Sequence, residues 1–205
     1  TARLGKWGSY LHAFANGLEA SPVITLEEEK TVRSIGNSLT VYRDLSDMEE
    51  VKMILYLLAD SVSARMRESG LTHARTVHLY IRASDLTAYQ KQGRLPRPTG
   101  DVREISKLAQ KLFQEVYPWQ KPVRGLGISV SNFYFGPVQL DFFADAAEIG
   151  RRERLAGAID KIRAKYGNRI IQLASVYKDP KIRELDVKGE HVIHPYVFFR
   201  NKEPS

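Results

Sequence analysis

Small and basic residues recur in a pattern that suits the binding of phosphate groups. Two segments alternate apolar residues with small ones, and the small positions are Ser34, Gly36, Ser38 and Thr40, then Gly125, Gly127, Ser129 and Ser131. Such residues let another backbone come close, while hydroxyl and main-chain N–H groups donate to phosphate oxygens. Positive charge around these segments comes from Arg33, Arg82, Lys91, Arg94 and Arg124. The pattern predicts contacts with a nucleic-acid backbone, and its alternative is solvent-facing filler or β-bulges.

The charges are divided between predicted strands and predicted helices. The segments concerned are 32–43, 74–97 and 121–133 for the strands, and 44–70 and 101–117 for the helices. The strands contain nine Lys or Arg residues and one acid, whereas the helices contain six Lys or Arg residues and nine acids. A sheet with this excess presents one positive face, which is typical of nucleic-acid binding, and solvated strand edges are the alternative. The net charge of +7 also favours a polyanionic partner.

Other chemistries find little support in the sequence. The absence of cysteine excludes disulfides, thiolate metal ligands and a cysteine nucleophile, and it fits a reducing, intracellular setting. His191 and His194 lack a third ligand for zinc, and Gly125 and Gly127 do not precede a helix as a dinucleotide fingerprint requires. No apolar run is long enough to span a bilayer. The start of the chain lacks both a signal-peptide core and an initiator Met, so we expect a piece of a longer chain.

The hydrophobic periodicity predicts the elements that position the phosphate-binding residues. A short helix with Trp7, Leu11 and Phe14 on one side precedes a linker. The linker is followed by a strand and by a helix that begins with a capping box at Ser46 and Glu49. Two strands come next, then a helix that begins with a capping box at Asp101 and Glu104, and then a last strand. The order β-α-β-β-α-β predicts an α+β, ferredoxin-like fold with a four-stranded antiparallel sheet and both helices on one face.

Single-stranded RNA readers of the same topology are the second hypothesis. They stack bases on aromatic residues of the central strands. Tyr42, Tyr80 and Tyr89 are the candidates for such stacking, but no RNP-like run occurs. A basic, mostly non-aromatic face therefore favours backbone binding over base readout.

Four segments resemble the little-finger domain of Y-family translesion DNA polymerases, and the bacterial polymerase IV and UV-damage-repair branch is the most similar. They are residues 30–38, 43–47, 74–77 and 122–133, and residues 17–23 resemble the end of the thumb. The resemblance implies a thumb end at 1–20, a linker at 21–31, a little finger at 32–138, a clamp-binding segment at 139–147 and a C-terminal extension at 148–205.

The resemblance also implies a function. A little finger holds primer–template DNA through phosphate contacts and performs no chemistry. We expect those contacts from the small and basic residues named above and from Ile35, Asn37 and Ser84. The palm carboxylates that bind metal have no counterpart here, so we expect no cofactor in this chain and Mg²⁺ only in the parent polymerase. A monomer that acts in the bacterial cytoplasm on damaged DNA, away from membranes, is the corresponding expectation.

A short motif follows the last predicted strand. Gln139, Leu140, Asp141, Phe142 and Phe143 resemble the peptide by which bacterial polymerases dock on the sliding clamp, with Phe142 in place of the usual Leu. Apolar side chains in a pocket and a directional glutamine hydrogen bond fit such docking. A hydrophobic segment packed on the domain is the alternative.

The remaining tail predicts a basic helix that ends near Gly167 and strands at 170–176 and 192–199. We expect the basic face of that helix to be solvated, and contact with DNA or another polymerase domain is the alternative.

Overall fold

The computed structural model describes residues 5–18, 32–136 and 146–189. The predicted clamp-binding residues 139–143 and the predicted strand 192–199 lie outside these ranges. Helix α1 (Lys6–Ala15) belongs to one compact unit and all other elements belong to a second. The predicted apolar side of α1 is exposed to solvent, and Trp7, Leu11 and Phe14 are each more than half accessible. None of the helices in the described ranges combines the length and the apolar character needed to cross a membrane.

The second unit has the predicted order of strands and helices. Its first part consists of β1 (Ser34–Leu45), α2 (Met48–Glu68), β2 (Ala74–Ala83), β3 (Ala88–Thr99), α3 (Val102–Val116) and β4 (Val123–Phe133). The four strands form one antiparallel sheet in the order β1-β4-β2-β3. The α+β fold with a four-stranded sheet is therefore confirmed, and β4 and β2 are its central strands.

Both helices begin close to the predicted residues. The cap of α2 is Asp47 rather than Ser46, because the Asp47 carboxylate accepts hydrogen bonds from the backbone N–H groups of Glu49 and Glu50. Asp101 caps α3 as predicted and accepts from the Arg103 N–H at 2.7 Å. Glu104 does not complete a capping box, since it pairs with Arg97 on β3.

The core lies between the sheet and the helices. Alternate strand residues face α2 and α3 and are almost fully buried, as are the apolar sides of both helices. The largest fully buried side chains of this layer are Leu45, Ile54, Leu55, Leu58, Met66, Leu79, Ile81, Ile105, Phe113, Leu126 and Ile128. Burial of this apolar surface drives the sheet against the helices, and no other described element of this unit covers the opposite sheet face.

The C-terminal part packs on the helical side of the sheet. It contains α4 (Ala146–Tyr166), a 3₁₀ turn (Ala174–Lys178) and α5 (Pro180–Glu184). Val176 and Ile182 are fully buried and belong to the same core as the sheet. The domain core therefore extends well past β4, although the sequence suggested that it ends near residue 138.

Ion pairs join α4 to α2. The Arg67 guanidinium makes two hydrogen bonds to the Asp160 carboxylate at 2.5 and 3.0 Å, and Arg163 pairs with Asp60 at 2.8 Å. The prediction of a helix that ends near Gly167 is confirmed. The expectation of a merely solvated basic face is wrong for Arg163, which is largely buried.

The predicted strand at 170–176 is wrong. Arg163 donates from Nε and Nη2 to the carbonyl of Ile171 and turns the chain back after α4. A 3₁₀ turn and α5 follow, and Asp179 caps α5 ahead of Pro180.

Candidate nucleic-acid interface

The uncovered face of the sheet is built from four rows of residues, which we call the open face. Pairing across the strands places residues side by side in the order β1, β4, β2 and β3. The rows are Ser34, Ser131, Thr76 and Arg94; Gly36, Ser129, His78 and Gln92; Ser38, Gly127, Tyr80 and Gln90; and Thr40, Gly125, Arg82 and Ala88. The structure thus brings the two predicted runs of small residues together on neighbouring strands.

Close approach of neighbouring strands leaves little room for a side chain at two glycines of the open face. A Cβ on Gly36 would lie 2.5 Å from the Cβ of Ser129, and a Cβ on Gly127 would lie 3.1 Å from the Cβ of Ser38. Glycine is therefore required by the cross-strand neighbours, at Gly36 above all. The result is a shallow concavity in the middle of the face that exposes serine hydroxyls, and an extended backbone could lie across it.

Three hydrogen bonds hold side chains across the open face. His78 Nε2 and Ser131 Oγ are 2.8 Å apart, and Asn132 Nδ2 donates to Thr76 Oγ1 at 2.9 Å. Arg82 Nε donates to the Tyr80 hydroxyl oxygen at 2.9 Å. Tyr80 thus positions the guanidinium of Arg82 at one end of the face, where the Arg82 side chain is exposed.

The electrostatics of the open face favour an anion. Its four rows contain Arg82 and Arg94 and no Asp or Glu. Arg33 is exposed immediately before β1. Arg124 lies at a bulge where the register between β2 and β4 shifts, and it is half exposed while 3.8 Å from Asp44. An exposed pair at this distance contributes little, so Arg124 keeps most of its capacity for another anion.

Three predicted site residues have side chains on the other side of the sheet. Ile35 is buried in the core, and Asn37 is buried with its amide donating to Ser61 Oγ and to the carbonyl of Val187. Lys91 is paired opposite the buried Leu79 and makes an ion pair with Glu115 of α3 at 3.0 Å. These side chains do not contribute to the open face, because strand alternation turns them toward the helices. The predicted list is corrected accordingly.

Ser84 lies just beyond β2, and its N–H donates to the carbonyl of Pro122. It is outside the four rows, and this hydrogen bond places it near the segment that contains Arg124.

Two of the three tyrosines proposed to stack on bases make contacts with other parts of the protein. Tyr89 packs edge-on against Tyr117 with ring centroids 5.3 Å apart. The Tyr42 hydroxyl donates to the Asp179 carboxylate of the C-terminal part, and this hydrogen bond raises the pKa of Tyr42. Tyr80 remains on the open face, so the face lacks the pair of stacking aromatics that single-stranded RNA readers use.

His78 and the glutamines Gln90 and Gln92 also lie on the open face, although they were not among the predicted site residues. The alternation of β2 predicts that His78 points outward, but the positions on β3 depend on its pairing with β2, which the sequence leaves undetermined.

Comparison with known proteins identifies the family. The C-terminal domain of the impB/mucB/samB family matches residues 32–142. A DNA polymerase IV from Acetivibrio thermocellus is 36% identical over 167 residues, which are 80% of this chain and 42% of that protein. A DNA polymerase IV from Clostridium kluyveri is 35% identical over 187 residues, which are 87% of this chain and 46% of that protein. Among solved structures, a chimeric Y-family DNA polymerase aligns with a TM-score of 0.45 and 19% identity, over 64% of this chain and 36% of that one.

The chain belongs to the impB/mucB/samB family, and residues 32–142 are its C-terminal domain. The resemblance to the bacterial polymerase IV branch of Y-family polymerases is thereby confirmed. The chain spans a little under half the length of these curated relatives.

Proposed function

We propose that the sheet domain is the non-catalytic DNA-binding part of a translesion DNA polymerase and that its open face lies against the phosphates of primer–template DNA. One observation supports this above all: the four rows combine small residues, hydroxyl donors and arginines without a carboxylate. Hydroxyl and main-chain donors would fix the position of the duplex, and the arginines would neutralise phosphates. Contacts of this kind do not distinguish base sequences.

The chemical step belongs to another part of the parent polymerase. Mg²⁺ supplies the charge stabilisation for nucleotidyl transfer in polymerases of two-metal type. No group of three or more His, Asp or Glu residues within ranges 5–18, 32–136 and 146–189 could hold a metal ion. Our proposal therefore assigns no catalytic metal site to these ranges and gives them the binding and orientation of DNA.

A salt series tests the DNA-binding proposal. Anisotropy of labelled primer–template DNA, duplex DNA and single-stranded RNA would be measured at several salt concentrations. We expect DNA to bind best and log affinity to fall linearly with log salt, by about 0.9 for each phosphate neutralised. A preference for RNA, or no binding at low salt, would contradict the proposal.

Matched variants locate the interface. Arg94→Ala removes a cation of the open face, so we expect weaker binding to all sequences and a salt slope smaller by about 0.9. Arg33→Ala and Arg124→Ala should act in the same direction. Lys91→Ala, on the same strand as Arg94 but paired with Glu115, is the control and should leave the slope unchanged. A sequence-selective loss in Arg94→Ala would show that the face reads bases.

The variant Tyr80→Ala distinguishes the RNA-binding hypothesis from the DNA-binding proposal. A large loss of affinity for single-stranded RNA would favour an RNA-binding adapter, because base stacking would then carry the binding. A small loss on duplex DNA, through the Arg82 that Tyr80 holds, is the result that we expect.

We also propose that the segment from Gln139 to Phe143 docks on the sliding clamp. The supporting features are the two adjacent aromatic residues after Asp141 and the neighbouring Gln139 and Leu140. Phe142→Ala with Phe143→Ala should abolish retention on an immobilised bacterial clamp and leave DNA anisotropy unchanged. Undiminished retention would contradict this role.

A further inference from the structure

His78 is an ionisable group near the middle of the open face that the phosphate contacts described above do not use. It is half-buried on the central strand β2, opposite Ser129 of β4 and Gln92 of β3. Its Nε2 atom is 2.8 Å from Ser131 Oγ. Beyond Ser129 lies Gly36, so no side chain of β1 rises beside the imidazole in that row.

The four rows around His78 contain no carboxylate that could pair with a protonated imidazole in the free protein. The titratable or charged groups of the rows are Tyr80 beside it on β2, Arg82 farther along, and Arg94 on β3 opposite Thr76. The facing positions of β4 are serines and glycines, and those of β1 are serines, a glycine and a threonine. A protonated imidazole at this position would have cations but no carboxylate among the residues of the four rows.

We propose that His78, with the hydroxyls of Ser129 and Ser131 and the space above Gly36, forms a subsite for one DNA phosphate and takes up a proton when that phosphate binds. The proton comes from solvent and forms an N–H bond on the imidazole, and no bond of the DNA is made or broken. The phosphate supplies the negative charge that the open face lacks, and both ring nitrogens then act as donors, one toward the phosphate and one toward Ser131. This subsite rests on the proposed DNA-binding function.

The sign of the pH effect follows from this coupling. Bound phosphate favours the imidazolium form, so affinity is highest at acid pH and falls as the pH rises through neutrality. For a single proton the fall is at most about tenfold per pH unit. Ordinary arginine–phosphate contacts do not produce such a fall, because arginine stays protonated throughout this range.

The test compares His78 with another histidine. Primer–template affinity would be measured by anisotropy between pH 6 and 8 at constant ionic strength. We expect the unmodified chain to lose roughly five- to tenfold in affinity over this range. His78→Gln should show little pH dependence and bind as the unmodified chain does at pH 8, because glutamine keeps a donor and loses the charge. His73→Gln is the control, since His73 precedes β2 and lies 4.0 Å from Glu153 of α4, and it should keep the full profile.

Calorimetry in two buffers of different ionisation enthalpy gives a second readout. Near pH 7 we expect uptake of a fraction of a proton per complex, and this uptake should be lost in His78→Gln. A thermal melt of His78→Gln that matches the unmodified chain shows that the fold is intact.

The outcomes separate the two proposals. If no form of the chain binds DNA at any pH, the DNA-binding function itself fails. If the unmodified chain and His78→Gln bind DNA with the same pH profile and proton uptake, DNA binding stands and the His78 subsite is refuted.

Discussion

Replacing Ile182 by alanine tests whether the C-terminal part completes the core of the sheet domain. Ile182 lies in α5, nearly fifty residues past β4, yet only 2% of it is accessible. Truncating this buried side chain loses apolar burial and leaves a cavity. Such a change typically lowers the free energy of unfolding by about 2–5 kcal/mol. We expect Ile182→Ala to lower the free energy of unfolding by about 3 kcal/mol, which for a unit of this size corresponds to roughly 6–12 °C in Tm.

Ile170 provides the matched control, because it is the same residue type in the same part of the chain and is 58% exposed. Ile170→Ala should change stability by no more than about 0.5 kcal/mol. Urea unfolding followed by circular dichroism would measure both variants, with Tm from a thermal scan. Equal, small effects would refute the reasoning and show that α5 unfolds without disturbing the sheet. In that case hydrogen exchange should find α5 unprotected while β4 stays protected.

Three further predictions concern single positions. Gly36→Ala should lower the free energy of unfolding, measured in urea, by about 1–3 kcal/mol, because the new Cβ meets Ser129. Adding Ser129→Gly should restore part of this loss, and no recovery would contradict this packing explanation. Asn37→Ala should lower the free energy of unfolding by about 1–3 kcal/mol, because its buried hydrogen bonds are lost. The DNA affinity measured by anisotropy should stay within twofold of the original value. A large affinity loss at unchanged stability would show that Asn37 belongs to the interface. A hydrogen bond from Lys121 and two from Thr87 lower the pKa of Asp85 to about 2. Asp85→Asn should therefore destabilise the chain at neutral pH, and the difference should shrink as the pH falls from about 4 through 2. An undiminished difference at pH 2 would exclude this ion pair as its cause.

The order of the elements could be predicted because each depends on local patterns. Alternation over β1, β2 and β4 and the helical stripes of α2 and α3 match the structure. The strand at 170–176 and the packing of the C-terminal part on the core could not be predicted correctly. Val176 and Ile182 are buried by long-range packing, and an isolated apolar run does not show whether it pairs as a strand or packs as a turn.

The small residues of the open face could be predicted because they alternate with buried residues on two strands. The error at Asn37 arose because a polar residue in a basic strand was assigned to the surface, while its buried partners come from α2 and from 150 residues further along the chain. Lys91 was misassigned because the register of β3 against β2 decides its side, and a shift of one residue reverses every side chain.

The sheet order has a consequence for how the chain folds. The β2–β3 hairpin can form as soon as both strands have been synthesised. Among the described residues, β1 pairs only with β4, about 100 residues later in the chain. At translation rates of about 5–20 residues per second, β1 would wait roughly 5–20 s for its partner. Such late closure makes folding slow and leaves an unpaired strand that contains Ile35, Leu39 and Val41 available to other chains. We expect refolding yield to fall with protein concentration, with β1 as the segment first found in aggregates.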